Sequence, residues 1–215
     1  MKRIWLTLSP LLLCGCSLGA TKVVVVTATP TRPHPTANAA TVTNSLPPAA
    51  FALTEANVPT DMKQQTARFH SNAEVAGAYG IGLSELQRRG RITSFETEFR
   101  ANAVSGMLDV DDIVAEWKTP AGARWDYSRV VAGVQHPGVR EIAPHTISAR
   151  DLGDRRTALS FRSKGQANNL RDYAVVFTRG RYRAYLQIVA VYGTVSDADV
   201  LRLAKLIDQR IQNAP

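Results

Sequence analysis

Two cysteines are all that this chain of 215 residues contains, and both lie at its start, Cys14 and Cys16. From residue 17 onward there is no sulfur to close a disulfide, hold a thiolate zinc cluster or run a redox cycle. The folded part therefore relies on its apolar core. Histidine is also scarce: His34, His70, His136 and His145 stand far apart, without the paired spacing of metal ligands, and read as surface or core residues. Neither Gly-x-Ser-x-Gly nor Ser-x-x-Lys occurs, and Gly77, Gly80 and Gly82 do not make a dinucleotide fingerprint. The acidic trio Asp109, Asp111 and Asp112 lacks the glycine and closing glutamate of a calcium loop and reads as a hairpin turn. These gaps leave no catalytic residue, metal or cofactor to name, although a triad assembled only in space stays open. No apolar run approaches the roughly 20 residues of a membrane span, and there is no internal repeat.

What is present begins at the first residues. Lys2-Arg3 precedes ten mostly apolar residues, 4–13, and then Leu13-Cys14-Gly15-Cys16. A short basic start and a short apolar stretch form a secretory signal. The last four residues resemble the lipobox of bacterial lipoproteins. That resemblance implies that residues 1–15 are a cleaved signal peptide, that Cys16 takes the lipid, and that the protein is anchored to a membrane and extracytoplasmic. Cys14 fits the role less well, because cleavage before it would put bulky Leu13 where a small residue belongs. An uncleaved span over 4–20 is interrupted by Thr7, Ser9 and Pro10, and it too would hold the chain outside the cytoplasm.

Residues 16–50 comprise Cys16 and a Thr-, Pro- and Ala-rich stretch with Pro30, Pro33, Pro35, Pro47 and Pro48 and almost no charge. Such composition favours an extended, disordered tether, and a flexible coil of that length spans roughly 30 Å. Four successive valines, 23–26, are the one strand-prone piece.

Residues 51–215 suffice for one domain with a sizeable core. Periodicity predicts a strand at 65–69, then a helix at 72–89 bent or broken in two by its glycines, then a hairpin of strands at 92–101 and 107–117. Thr119-Pro120 opens a helix that runs to about residue 135 and stops at Pro137-Gly138. A looser stretch around Pro144 follows, then strands at 157–162 and 173–178 and a hairpin at Thr178-Arg179-Gly180-Arg181. In the next run Tyr182, Ala184, Leu186, Ile188 and Ala190 share one face, and Arg183, Tyr185, Gln187 and Val189 the other. Tyr185, between Arg183 and Gln187, is a candidate for a binding face or for packing beneath a helix. Ser196 with Asp199 caps a last helix carrying the stripe Val200, Leu203, Ile207 and Ile211. Together these predict an α+β fold, an antiparallel β-sheet covered by helices.

With the stretch Tyr173-Ala174-Val175-Val176-Phe177-Thr178-Arg179-Gly180-Arg181-Tyr182 and the helix after Ser196, this order resembles the PsbP-like fold, a layered sandwich found in exported and envelope proteins. The resemblance implies a fold and no functional residues, because members of that fold scaffold, bind or sense without a shared active site.

Charge is the feature that points to a partner. Lys and Arg number 26 against 18 Asp and Glu, a formal +8, and loss of Lys2 and Arg3 with the signal leaves +6. Arg179, Arg181 and Arg183 crowd the hairpin, and Arg155 and Arg156 precede a neighbouring strand. If these come together they form a surface for anionic lipid, an anionic envelope polymer or an envelope protein. No nucleic-acid reader motif is present. The leading expectation is a non-enzymatic, membrane-anchored domain that binds a ligand or partner. The alternatives are an enzyme that hydrolyses or modifies envelope polymers, which needs a pocket with a converging carboxylate, histidine or serine, and a structural envelope subunit.

Overall fold

The computed structural model describes residues 46–102, 106–135, 141–163 and 169–214. The signal, Cys16 and the tether up to residue 45 lie outside them, as do His34, His136 and Pro137-Gly138. A 3-10 turn, Pro48–Ala50, leads into β1 (Met62–His70), α1 (Asn72–Tyr79), α2 (Leu83–Arg89), β2 (Arg91–Ala101) and β3 (Met107–Trp117). Then come α3 (Pro120–Gln135), β4 (Glu141–Thr146), β5 (Arg155–Ser163), β6 (Leu170–Arg179), β7 (Tyr182–Val191) and α4 (Asp197–Gln212). The strands form one sheet in the order β1-β2-β3-β7-β6-β5-β4, every neighbouring pair antiparallel. Two meanders, β1-β2-β3 and β4-β5-β6-β7, are linked through α3 and meet where β7 pairs with β3.

Local chemistry accounts for most boundaries. Ser71 and Ser196 both build full capping boxes, with Glu74 and Asp199 respectively, so α1 and α4 start where an orphan backbone donor finds a hydroxyl. The helix expected over 72–89 is two helices because Gly80 takes a left-handed conformation, φ +61°, which closes α1 and turns the chain into α2. Two expectations need correction. The stretch around Pro144 is a strand, β4. It sits at the sheet edge, and its pairing shifts register between Ile142 and His145, a setting in which a missing backbone donor is tolerated. Asp109, Asp111 and Asp112 are not a turn. They lie in β3 opposite Arg100, Glu98 and Thr97, because pairing with both β2 and β7 overrides their weak strand propensity.

Alternation along the strands sorts the side chains into two faces. On one face Val110, Val114, Val175, Phe177, Leu186 and Ile188 pack beneath α4, whose Val200, Leu203, Ala204, Ile207 and Ile211 are all buried. Each such side chain contributes about 1.5–3 kcal/mol by leaving water. The segment from Phe51 to Val58 covers the rest of this face, and the Leu53 amide donates to Asp112 Oδ2 at 2.8 Å. Pro48 is buried as well, and the Tyr182 hydroxyl donates to the Leu46 carbonyl, so packed structure reaches back into the proline-rich stretch.

The other face carries α1, α2 and α3 in two separate clusters. One surrounds Trp117 with Ala76, Leu86, Ala115 and Ala123; the other joins Leu159, Phe161 and Ala174 to Val134 and Tyr185. Gly122 lets α3 approach β3, since a Cβ there would lie 2.7 Å from the Arg89 carbonyl oxygen and 2.8 Å from the Trp117 ring. Between the clusters the sheet stays uncovered.

Candidate functional site

That uncovered area is a cleft of about 620 Å³. Ile113 of β3, Ala174 of β6 and Tyr185 and Gln187 of β7 line its floor, and Ala78 and Tyr79 of α1 and Val130, Gly133 and Val134 of α3 line its walls. The volume and the mostly apolar, aromatic lining are those of a small-molecule site. A second hollow of about 300 Å³ continues beside Tyr79, Ile113 and Arg183 towards His70, Arg91 and Ser94. A third, of about 150 Å³, lies among Glu98, Asp109, Asp111, Gln187 and Val189.

A buried polar knot joins the walls to the floor. Arg183 Nε donates to Asp126 Oδ2 at 2.8 Å, its Nη1 donates to the Ile113 carbonyl at 3.2 Å, and the Tyr79 hydroxyl donates to Asp126 Oδ1 at 2.5 Å. Burial, and then the Asp126 charge, push the Tyr79 hydroxyl up to about 12. Burial works against the Arg183 charge, but Asp126 and Tyr79 more than reverse it, and the guanidinium stays charged. At the α3 rim Arg129 lies over the rings of Tyr79 and Trp125 and donates to the Tyr79 carbonyl at 3.0 Å.

The arginines singled out from the sequence are dispersed. Arg183 leaves the surface altogether, because its register places it under α1 and α3. Arg179 faces the opposite side and pairs with Asp208 of α4 at 2.6 Å, and Arg181 pairs with Glu116 at 3.0 Å. Arg155 and Arg156 are exposed, and Arg156 donates to the carbonyls of Leu152 and Gly153. Tyr185 does line the cleft, and its hydroxyl donates to Gln187 Oε1 at 3.0 Å. The Arg183–Asp126 pair, 57 residues apart, left no sequence signal beyond one carboxylate in a helix whose neighbours pack on the sheet.

Ser94, His70 and Glu96 come nearest to a catalytic set. His70 Nε2 is 3.0 Å from Glu96 Oε2, and Ser94 lies opposite His70 in the β1–β2 register. A nucleophile needs a hydrogen bond to its base. Ser94 Oγ instead accepts from Arg91 Nη2 at 2.7 Å, and no hydrogen bond joins it to His70. Among the described residues no three metal-ligating side chains come together, and no helix is long and apolar enough to cross a membrane.

No protein-family model matches the chain, and no curated protein does. A solved structure does match: the extracellular domain of PknH from Mycobacterium tuberculosis, TM-score 0.54 and 10% identity, over 79% of this chain and 99% of that one. The likeness is one of fold. At that identity the cleft residues have to be judged on their own chemistry.

Proposed function

We propose that the chain is a membrane-anchored, extracytoplasmic lipoprotein whose domain binds a small ligand without transforming it. The observation that carries this reading is the cleft of about 620 Å³, lined mostly by apolar and aromatic side chains with Arg129, Asp172, Arg183 and Gln187 among them, and with its polar knot satisfied. Support for the location comes from Leu13-Cys14-Gly15-Cys16 and from the fold likeness to a domain described as extracellular. The resemblance of the element order to the PsbP-like fold fits, since that fold serves binding and sensing.

Gly133 offers the test. A side chain added there meets nothing within 4 Å and projects from a cleft wall, so Gly133→Phe fills the site while improving the helix propensity of α3. Native mass spectrometry of the purified full chain, incubated with small molecules extracted from the native cells, should show one stoichiometric adduct. Gly133→Phe should lose the adduct at an unchanged or higher Tm. An adduct that survives this change places binding elsewhere.

The anchor is tested separately. Cys16→Ala removes the thiol that a lipid requires, so fractionation should move the protein out of the membranes. A variant that stays wholly membrane-bound would contradict lipidation at this residue.

A further inference from the structure

The large cleft and the hollow of about 300 Å³ meet at Ala78, Tyr79, Ile113 and Arg183, which line both. Strand register gives the rungs beneath them. Arg68, Glu96, Ile113 and Tyr185 lie side by side across β1, β2, β3 and β7, and the rung nearer the β6–β7 hairpin is His70, Ser94, Ala115 and Arg183. In the other direction the next rung carries Glu98, Asp111 and Gln187. Successive rungs are about 6.7 Å apart. The apolar floor at Ile113 and Tyr185 therefore has carboxylates at one end and, through the hollow, Arg91 and Ser94 at the other.

The charges around that hollow are paired, with one exception among the described residues. Arg68 and His70 meet Glu96, Arg183 meets Asp126, and Glu74 is turned back onto the Ser71 amide and hydroxyl as the cap of α1. Arg91 is 4% exposed, and its guanidinium meets only neutral acceptors. Nη1 donates to Asn72 Oδ1 and to the His70 carbonyl, and Nη2 donates to the same carbonyl and, at 2.7 Å, to Ser94 Oγ. A buried charge without a counter-charge is costly. Burial accordingly pulls the Arg91 guanidinium below its ordinary value, and the more distant charges of Asp126, Tyr79 and Glu74 oppose this only in part.

One donor of Arg91 is left over. Its Nε makes no hydrogen bond among the described residues and is not one of the atoms sealed from solvent. Nε–H lies on the same edge of the guanidinium as Nη2, so an acceptor at Nε stands next to the Ser94 hydroxyl. That hydroxyl accepts from Nη2 and keeps its own O–H to give. Arg91 and Ser94 both line the hollow.

We propose that the occupant is a small amphiphilic carboxylic acid, its carboxylate seated between Arg91 Nε and the Ser94 hydroxyl and its apolar body lying along Ile113, Tyr185, Val130 and Val134. This rests on the cleft being a binding site and adds the chemistry of what it holds. The carboxylate supplies the one missing negative charge and accepts the two free hydrogens. A phosphate dianion fits less well, because it brings two charges and three acceptor oxygens to a site with one of the first and two donors for the second. The direction is fixed as well, since Glu98 and Asp111 would repel a carboxylate placed at the other end.

Calorimetry on the purified full chain at pH 7 with octanoate, octanol and octylamine tests this. Octanoate should bind about tenfold more tightly than octanol, and octylamine no more tightly than octanol. Arg91→Met should bring octanoate down to the level of octanol, and Gly133→Phe should abolish both. Arg91 also holds the start of α1, so the native chain supplies a second readout. In a nitrogen-15 spectrum the Arg91 Nε–H signal should shift on addition of octanoate and stay in place with octanol. Equal affinity for octanoate and octanol, or tighter binding of octylamine, would overturn the carboxylate seat and leave the cleft as a binding site. Preference for octanoate with the Arg91 signal unmoved would put the charge elsewhere and overturn the seat too. Binding of none of the three would overturn both the seat and the cleft.

Discussion

Asp126→Ala should cost the fold about 3–5 kcal/mol, seen as a fall in Tm of roughly 10 °C. The carboxylate is buried and serves two donors, Arg183 Nε at 2.8 Å and the Tyr79 hydroxyl at 2.5 Å. Removing it leaves a guanidinium deep under α3 with only neutral partners, the Ile113 carbonyl and the Tyr79 hydroxyl, and an uncompensated buried charge is the costly case. The knot also ties α1, α3, β3 and β7 to one another, so both walls of the cleft lose their attachment to its floor. Ligand affinity should fall together with stability. Asp151→Ala is the control: it is exposed and meets Lys205 at 4.0 Å on the surface, so the loss should stay within about 0.5 kcal/mol. Equal losses for the two variants, measured by thermal or urea denaturation, would contradict the role given to Asp126.

The second large effect is on the pH dependence of stability. Asp112 is fully buried beneath the segment from Phe51 to Val58, accepts from the Leu53 amide, and has an Oδ1 with no partner among the described residues. Burial pushes its carboxyl up to about 7, with the Leu53 hydrogen bond and the charges of Arg210 and Arg183 pulling the other way. Asp111, on the opposite face, is raised to a similar value. Between the ordinary carboxyl value of 3.8 and about 7 the native state thus holds protons that the unfolded chain has released. Stability is fully present below that window and declines as pH rises through it. At the acid end Glu74 and Asp199, both lowered by hydrogen bonds to their capping serines, lose their contribution as pH falls through the lowered range. Stability should therefore peak near pH 4 and be lower at pH 8. Asp112→Asn keeps an acceptor for Leu53 and cannot ionise, so it should be more stable than the native chain at pH 8 by about 1–3 kcal/mol and close to it near pH 4. Urea unfolding of both chains at the two pH values checks this, and a native chain more stable at pH 8 than at pH 4 would contradict it.

How far these features were legible in the sequence depends on the range of the interaction behind each. The alternation of Tyr182 to Ala190, the Ser196–Asp199 cap and the stripe Val200, Leu203, Ile207, Ile211 all rest on neighbours within four residues, and each stands in the structure at its expected place. β4 and the acidic run of β3 rest on pairing with distant strands, which Pro144 and three aspartates argue against locally. The cleft falls between these cases. Tyr185 and Gln187 could be placed on one face from the alternation alone, but that this face is left open follows from where α1 and α3 stop. The arginines went the same way: crowding near the hairpin suggested one basic surface, whereas the two-residue turn at Gly180-Arg181 pairs Arg179 with Tyr182, so Arg179 and Arg183 point to opposite faces and enter separate ion pairs.

The most direct measurement is an amide chemical-shift map of the full chain titrated with the small molecules extracted from the native cells. The account predicts that shifts concentrate at Tyr79, Ile113, Val130, Val134, Tyr185 and Gln187 and fade away from the cleft. Shifts centred instead on the outer face of α4 or around Arg155 and Arg156, or no saturable shifts at all, would contradict it.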